Sequence, residues 1–148
     1  MEKKKKQNEL EGKQYLDYTL FDPNGKTMRI SDFAGKSKYL YLDFWVSWCS
    51  LCIAEMPTLK KVYEIYKGQG LQVISISLDS REGDWKKGIE RIDVPWIHLS
   101  DLKGDNSEIK QLYNIIGIPH GVLINEKGEI EVAKANAKVL EIMSKSIF

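Results

Sequence analysis

The sequence predicts an α/β domain: a mixed central sheet flanked by helices on both faces, with a β-hairpin ahead of it. Three observations predict it. First, two apolar runs, Tyr39–Trp45 and residues 71–78, bracket a stretch whose apolar residues recur every three or four positions. That is a strand, a helix and a strand, which implies a right-handed crossover between parallel strands. Second, two turn signals, P-N-G-K at 23–26 and N-E-K-G at 125–128, each separate a pair of short strand-like runs. Third, the chain closes on an amphipathic pattern over 136–143, with Val139, Leu140 and Met143 on its apolar side.

Taken in order, residues 1–14 are expected to be a flexible N-terminal segment and residues 15–148 the folded domain. Residues 18–22 predict a strand that returns over 27–30, with Asn24-Gly25 supplying the positive φ of the turn. Ser31 is expected to cap a short turn over 32–35. Residues 39–45 carry bulk on both faces, as a central strand covered on both sides does. The main helix lies within 47–66, with Ile53, Met56, Leu59, Val62, Tyr63 and Tyr66 along one side and Lys60, Lys61, Glu64 and Lys67 mostly on the other. Pro57 interrupts its hydrogen-bond ladder near Ile53, and Gly68 and Gly70 end it. Residues 82–91 predict a helix with Trp85 and Ile89 on one side. Residues 96–99 form a short apolar piece, and Ser107 is expected to cap a helix over 108–113. Residues 121–124 and 130–132 make a second hairpin.

The chain of 148 residues is long enough for one domain with a substantial core. A net charge of +1 provides no field to gather nucleic acid or an anionic membrane, so neither is an expected partner. The local run Lys3 to Lys6 is expected to be a solvated terminus. No apolar run approaches the length of a membrane span, and residues 1–13 have a basic start without the apolar centre of a leader.

The chemistry concentrates at Cys49 and Cys52, the only two cysteines. A C-x-x-C pair closes too small a loop to staple a fold, so the spacing points to a redox pair or half of a metal site. Cys49 falls where the strand gives way to the helix. Unpaired N–H groups and the helix dipole there favour a thiolate, the species that attacks a disulfide. Cys52, one turn inside, is placed to resolve the resulting mixed disulfide. Inert core thiols are the alternative. Asp43 sits in the strand among large apolar neighbours. Burial would raise its pKa and let it exchange a proton with Cys52; otherwise it is a strand-end acid bonded to backbone. Glu55, three residues after Cys52, either joins the resolving thiol or is a surface acid favoured by the helix dipole. Ile118-Pro119 precedes a strand, and the residues alone leave its isomer open. Trp45 and Trp48 are expected to frame the site, and Trp85 and Trp96 to be core.

The run W-C-S-L-C-I-A-E-M-P resembles the W-C-x-x-C helix start of the thioredoxin superfamily. From about Asp17 the chain resembles the TlpA/ResA-like thiol–disulfide oxidoreductases, relatives of the AhpC/TSA group. F-D-P-N-G-K, Y-L-Y-L-D-F-W-V-S-W-C-S-L-C, L-Q-V-I-S-I-S-L-D and G-I-P-H-G-V-L-I-N-E-K-G carry the likeness. The resemblance implies a thioredoxin-like sheet with an additional N-terminal hairpin. It also implies a cis Pro119 facing the dithiol, with Ile118 offering backbone groups to an extended substrate. Asp43 would be the buried acid under the site, and Glu55 the helix acid of the ResA-like branch. It implies exchange with protein thiols and disulfides, more as a reductase, and an upstream electron donor. It further implies a periplasmic or extracytoplasmic location with the leader absent from this chain (a cytoplasmic one being the alternative). A monomer is expected, and dithiol exchange needs no cofactor or metal beyond the Cys49–Cys52 disulfide.

Two departures stand out. Ser50-Leu51 replaces the proline-containing dipeptides of relatives, so Trp48, Ser50 and Leu51 are expected to form a substrate-facing rim with an apolar patch at Leu51. His120-Gly121 follows Pro119 where hydroxyl residues are usual. His120 either lies near the sulfurs or points away along the strand. If it is near, a second function class arises: a copper-binding metallochaperone using Cys49, Cys52 and His120, with His98 the only other histidine. A peroxidase is disfavoured because neither cysteine follows a Thr-x-x pattern.

Overall fold

A computed structural model of the chain describes residues 9–148. One sheet of seven strands runs in the order β2-β1-β5-β4-β3-β6-β7. The strands are β1 Thr19–Phe21, β2 Thr27–Arg29, β3 Tyr39–Trp45, β4 Leu71–Ser77, β5 Ile97–Ser100, β6 His120–Asn125 and β7 Ile130–Ala135. The helices among the described residues are α1 Ser50–Tyr66, α2 Glu82–Ile92, α3 Glu108–Leu112 and α4 Ala137–Ile147. None of them is long and apolar enough to cross a membrane.

Strands β3, β4 and β5 are parallel, and β6 pairs antiparallel with β3. Both crossovers step the same way across the sheet, so right-handedness puts α1 and α2 on one face. Helix α4 packs against α1 on that face. The opposite face is covered at α3, where Phe44 meets Tyr113 at 6.0 Å. Helices therefore lie on both faces, as the sequence predicts. The early hairpin joins the sheet through Phe21 opposite Ser100, and so widens it instead of standing apart.

β3 is buried from Leu40 to Trp45, and its parity decides what faces what. Tyr41, Asp43 and Trp45 point to the α1 and α2 face; Leu40, Leu42 and Phe44 point to the other. Two glycines allow the closest approaches. A Cβ on Gly121 would overlap the Tyr41 hydroxyl, and one on Gly88 of α2 would lie 2.9 Å from the Trp45 ring and 2.7 Å from Ser47 Cβ.

Several local expectations are corrected. Ser31 caps nothing: the turn at Ile30–Asp32 starts from Arg29, whose N–H donates to Asp32 at 2.8 Å. Ser107 is at the N-cap of α3, but its hydroxyl donates to Asp101 at 2.6 Å and leaves the helix N–H groups alone. Trp45 is fully buried and belongs to the core, together with Trp85 and Trp96, so it does not frame the surface. Residues 9–14, assigned to a flexible segment, are tied to β7: Gly12 N–H donates to Ile130 O at 2.8 Å, and Ile130 N–H returns to Lys13 O at 2.8 Å. Residues 1–8 of that segment, with the Lys3 to Lys6 run, lie outside the described residues. Just beyond, Tyr113 clamps Leu16, accepting from its N–H at 2.9 Å and donating to its carbonyl at 2.5 Å.

Candidate active site

β3 ends at Trp45, and Val46, Ser47 and Trp48 carry the chain to Cys49. Asp79, just past β4, holds this loop. It accepts from the Ser47 N–H at 3.1 Å and from the Ser47 hydroxyl at 2.7 Å, and the Ser77 hydroxyl steadies it at 2.6 Å. Charge-assisted bonds of this kind fix a turn more firmly than neutral ones. Cys49 then takes the N-cap position of α1, and its Sγ accepts from the Cys52 N–H at 3.1 Å. The two cysteines are joined as a disulfide, with Cα atoms 5.3 Å apart. The helix start thus aims an N–H and its positive dipole end at the first sulfur.

Exposure separates the two thiols. Cys49 keeps 9% of its surface and Cys52 none, so any partner must meet Cys49 first. The opening is smaller than the exposed sulfur the sequence suggests. Its rim is apolar: Trp48 is 77% and Leu51 69% exposed, and Ser50 is exposed beside them.

The Ile118–Pro119 peptide bond is cis. Ile118 shares a hollow of about 470 Å³ with Val46 and Trp48, and Pro119 shares one of about 350 Å³ with Leu51 and Glu55. Neighbouring residues of one segment line both hollows with neighbouring residues of the other. The 118–119 segment therefore lies alongside the dithiol motif.

Asp43 is fully buried on the α1 face of the sheet. Burial pushes its pKa up to about 7, the Ser75 hydroxyl pulls it down, and the nearby Glu55 raises it again. The Ser75 hydroxyl donates to Oδ2 at 2.7 Å, while Oδ1 has no hydrogen-bond partner among the described residues. The alternative of a strand-end acid satisfied by backbone does not describe this group. Glu55 is half-buried. Its Oε1 accepts from Ala137 N–H, at the start of α4, at 3.0 Å, and Oε2 is buried without a partner among the described residues. Burial raises its pKa, with the Ala137 bond opposing. Glu55, on the helix that carries Cys52, is near enough to Asp43 on β3 to raise its pKa.

The histidines do not join them. His120 pairs in register with Phe44, so it faces the sheet side opposite Asp43, and its ring packs edge-on to Phe44 at 6.3 Å. Its Nε2 is 2.8 Å from Ala133 O. Burial pulls its pKa down, the Ala133 bond pulls it up, and Lys134 pulls it down. His98 is buried in β5 against Trp45, its pKa lowered to about 4 by burial. The copper set of Cys49, Cys52 and His120 is not assembled, and among the described residues no three His, Cys, Asp or Glu side chains converge to hold a metal.

Asp79 and Ser75 escaped the sequence reading as site residues. Both lie in L-Q-V-I-S-I-S-L-D, which reads as a plain strand. The only signal was three polar residues, Ser75, Ser77 and Asp79, at alternate positions of an otherwise apolar run, which puts them on one face.

A profile of the AhpC/TSA family matches residues 12–133. A thiol-disulfide oxidoreductase ResA from Bacillus thuringiensis subsp. konkukian (strain 97-27) is 30% identical over 119 residues, 80% of this chain and 66% of that protein. A protein of the same name from Oceanobacillus iheyensis is 35% identical over 115 residues, 78% of this chain and 57% of that protein. The chain thus spans less than two thirds of the length of these curated relatives. A solved thioredoxin domain of a thiol-disulfide oxidoreductase from Bacteroides vulgatus matches with a TM-score of 0.81 and 32% identity, covering 91% of this chain and 95% of that one.

Proposed function

Because this chain belongs to the AhpC/TSA family, with the thioredoxin fold of its structural relatives, we propose that it exchanges disulfides with protein substrates through Cys49 and Cys52. The observation that carries this is the asymmetry of the pair. Cys49 is the accessible sulfur at a helix N-terminus, and Cys52 is sealed one turn inside.

In the reducing direction the Cys49 thiolate attacks one sulfur of a client disulfide. A Cys49–client bond forms, the client S–S bond breaks, and the departing client thiolate takes a proton. Asp43 then removes the proton of Cys52, with Glu55 adjusting the carboxyl's readiness to do so. The Cys52 thiolate attacks Cys49 Sγ, releasing the second client thiolate. The client gains two electrons, and the chain is left with the Cys49–Cys52 disulfide. A dithiol donor upstream restores the thiols. No organic cofactor or metal enters, because the two sulfurs carry the electrons.

Ile118, beside Pro119, presents backbone to an extended client, while Trp48, Ser50 and Leu51 form the surface it meets. An extracytoplasmic location follows from the family resemblance, and we propose that the chain acts as a monomer. The test is turnover of a disulfide-bonded protein with dithiothreitol as donor. Many turnovers are expected from the intact chain and none from Cys49→Ser. Turnover by Cys49→Ser at the rate of the intact chain would refute the proposal.

A further inference from the structure

We propose that Ser75 and Trp96 are positioning residues that decide which oxygen of Asp43 carries the proton exchanged with Cys52. The inference rests on the thiol-exchange reading and deepens it.

Ser75 lies opposite Asp43 in the β3–β4 register. A serine hydroxyl has one proton to give and two lone pairs, whereas an indole N–H can only donate. Trp96 Nε1–H points at Ser75 Oγ at 2.8 Å and occupies the hydroxyl's accepting side. The one proton of Ser75 is thereby committed to Asp43 Oδ2, 2.7 Å away. Trp96 cannot turn away freely, because its ring is buried and packs edge-on to Tyr63 of α1 at 5.4 Å. The chain of donors therefore runs one way, Trp96 to Ser75 to Asp43. Oδ2 is always an acceptor, in the charged and in the neutral carboxyl alike. The exchangeable proton must sit on Oδ1, which is buried and has no hydrogen-bond partner among the described residues.

The titratable groups around this network are Tyr41 on β3, Glu55 and Tyr63 on α1, and His98 on β5, in register with Ser75. β6 brings Gly121 opposite Asp43, and α4 brings the Ala137 N–H that holds Glu55. Among the described residues the Ser75 hydroxyl favours the charged carboxyl, while burial and Glu55 oppose it. Removing its hydroxyl moves Asp43 ionisation to higher pH, and the resolving step moves with it.

The experiment follows the Asp43 carboxyl directly, by carbon NMR of ¹³C-labelled aspartate in the full reduced chain across pH. The rate at which Cys52 resolves a mixed disulfide is measured in parallel. Ser75→Ala is expected to raise the midpoint by roughly one to two pH units, from the loss of a bond to a charged group. Ser75→Thr, which keeps the hydroxyl, is expected to restore it. Trp96→Phe frees the hydroxyl to rotate and is expected to raise the midpoint less. It tests the same chain with Ser75 in place. The pH profile of resolution should shift alongside each midpoint. An unchanged Asp43 midpoint in both Ser75→Ala and Trp96→Phe overturns the proposal. A midpoint that moves in a chain with no thiol exchange at all would support this wiring of Asp43 and refute the exchange reading instead.

Discussion

Replacing Asp43 with Asn tests the buried carboxyl through stability alone. Asp43 is fully buried, and its pKa rises from an ordinary 3.8 to about 7, chiefly through burial. Below the ordinary value, folded and unfolded chains both hold the proton, and Asp43 makes no difference. Between the two values the folded chain keeps a proton that the unfolded chain has lost. Each step up in pH then favours unfolding. Above about 7 both are ionised and the full penalty is present. At 1.36 kcal/mol per pH unit the window amounts to about 4 kcal/mol. Asparagine has no such titration, and its carbonyl oxygen can still accept from Ser75. The stability of Asp43→Asn minus that of the intact chain should therefore grow by about 4 kcal/mol between pH 4 and pH 9. A smaller part of that penalty comes from the nearby Glu55, which also raises the Asp43 pKa. The assay is urea unfolding of both proteins as disulfides, so that the cysteines do not titrate. A difference that stays constant to within about 1 kcal/mol across this range would refute the reasoning.

Trp48→Ala removes an exposed ring from the rim and should lower kcat/KM for a protein disulfide about tenfold, with small-disulfide exchange unchanged; steady-state kinetics on both substrates decide it. Asp79→Ala strands the Ser47 N–H and hydroxyl and should destabilise the chain by about 2 kcal/mol or more in urea, while slowing thiol exchange through a loosened motif loop. Gly121→Ala drives a methyl into the Tyr41 hydroxyl and should destabilise by about 1–3 kcal/mol, read from the urea midpoint.

What could be read from the chain alone was local. The Tyr39–Trp45 strand, the periodic helix that follows and the cysteine spacing lie within one stretch, where pattern and turn chemistry carry the information. The fold class followed from their order. What could not be read depends on register between distant strands. Asp43 meets Ser75 across 32 positions, and Trp96 meets Ser75 across 21. Nothing local marks such pairings. Parity within a strand caused the same difficulty on a smaller scale. Trp45 and Trp48 look alike in sequence, yet one ends a buried strand and the other stands on an open loop. His120 was equally ambiguous until its pairing with Phe44 put it on the far side of the sheet. Ser31 and Ser107 had the composition of caps, but an aspartate in each neighbourhood took over the hydrogen bonding. The isomer at Pro119 could not be chosen from propensity, since the cis form is a minority state, and only the family resemblance pointed to it.

The assignment of roles within the dithiol is tested most directly by locating the sulfur that a client captures. Cys52→Ala and Cys49→Ala are each reacted with a disulfide-bonded protein, quenched in acid and mapped by peptide mass spectrometry. The account predicts a stable client adduct on Cys49 in the first variant and almost none on Cys52 in the second, because Cys52 has no exposed surface. Equal capture through Cys52 would contradict it.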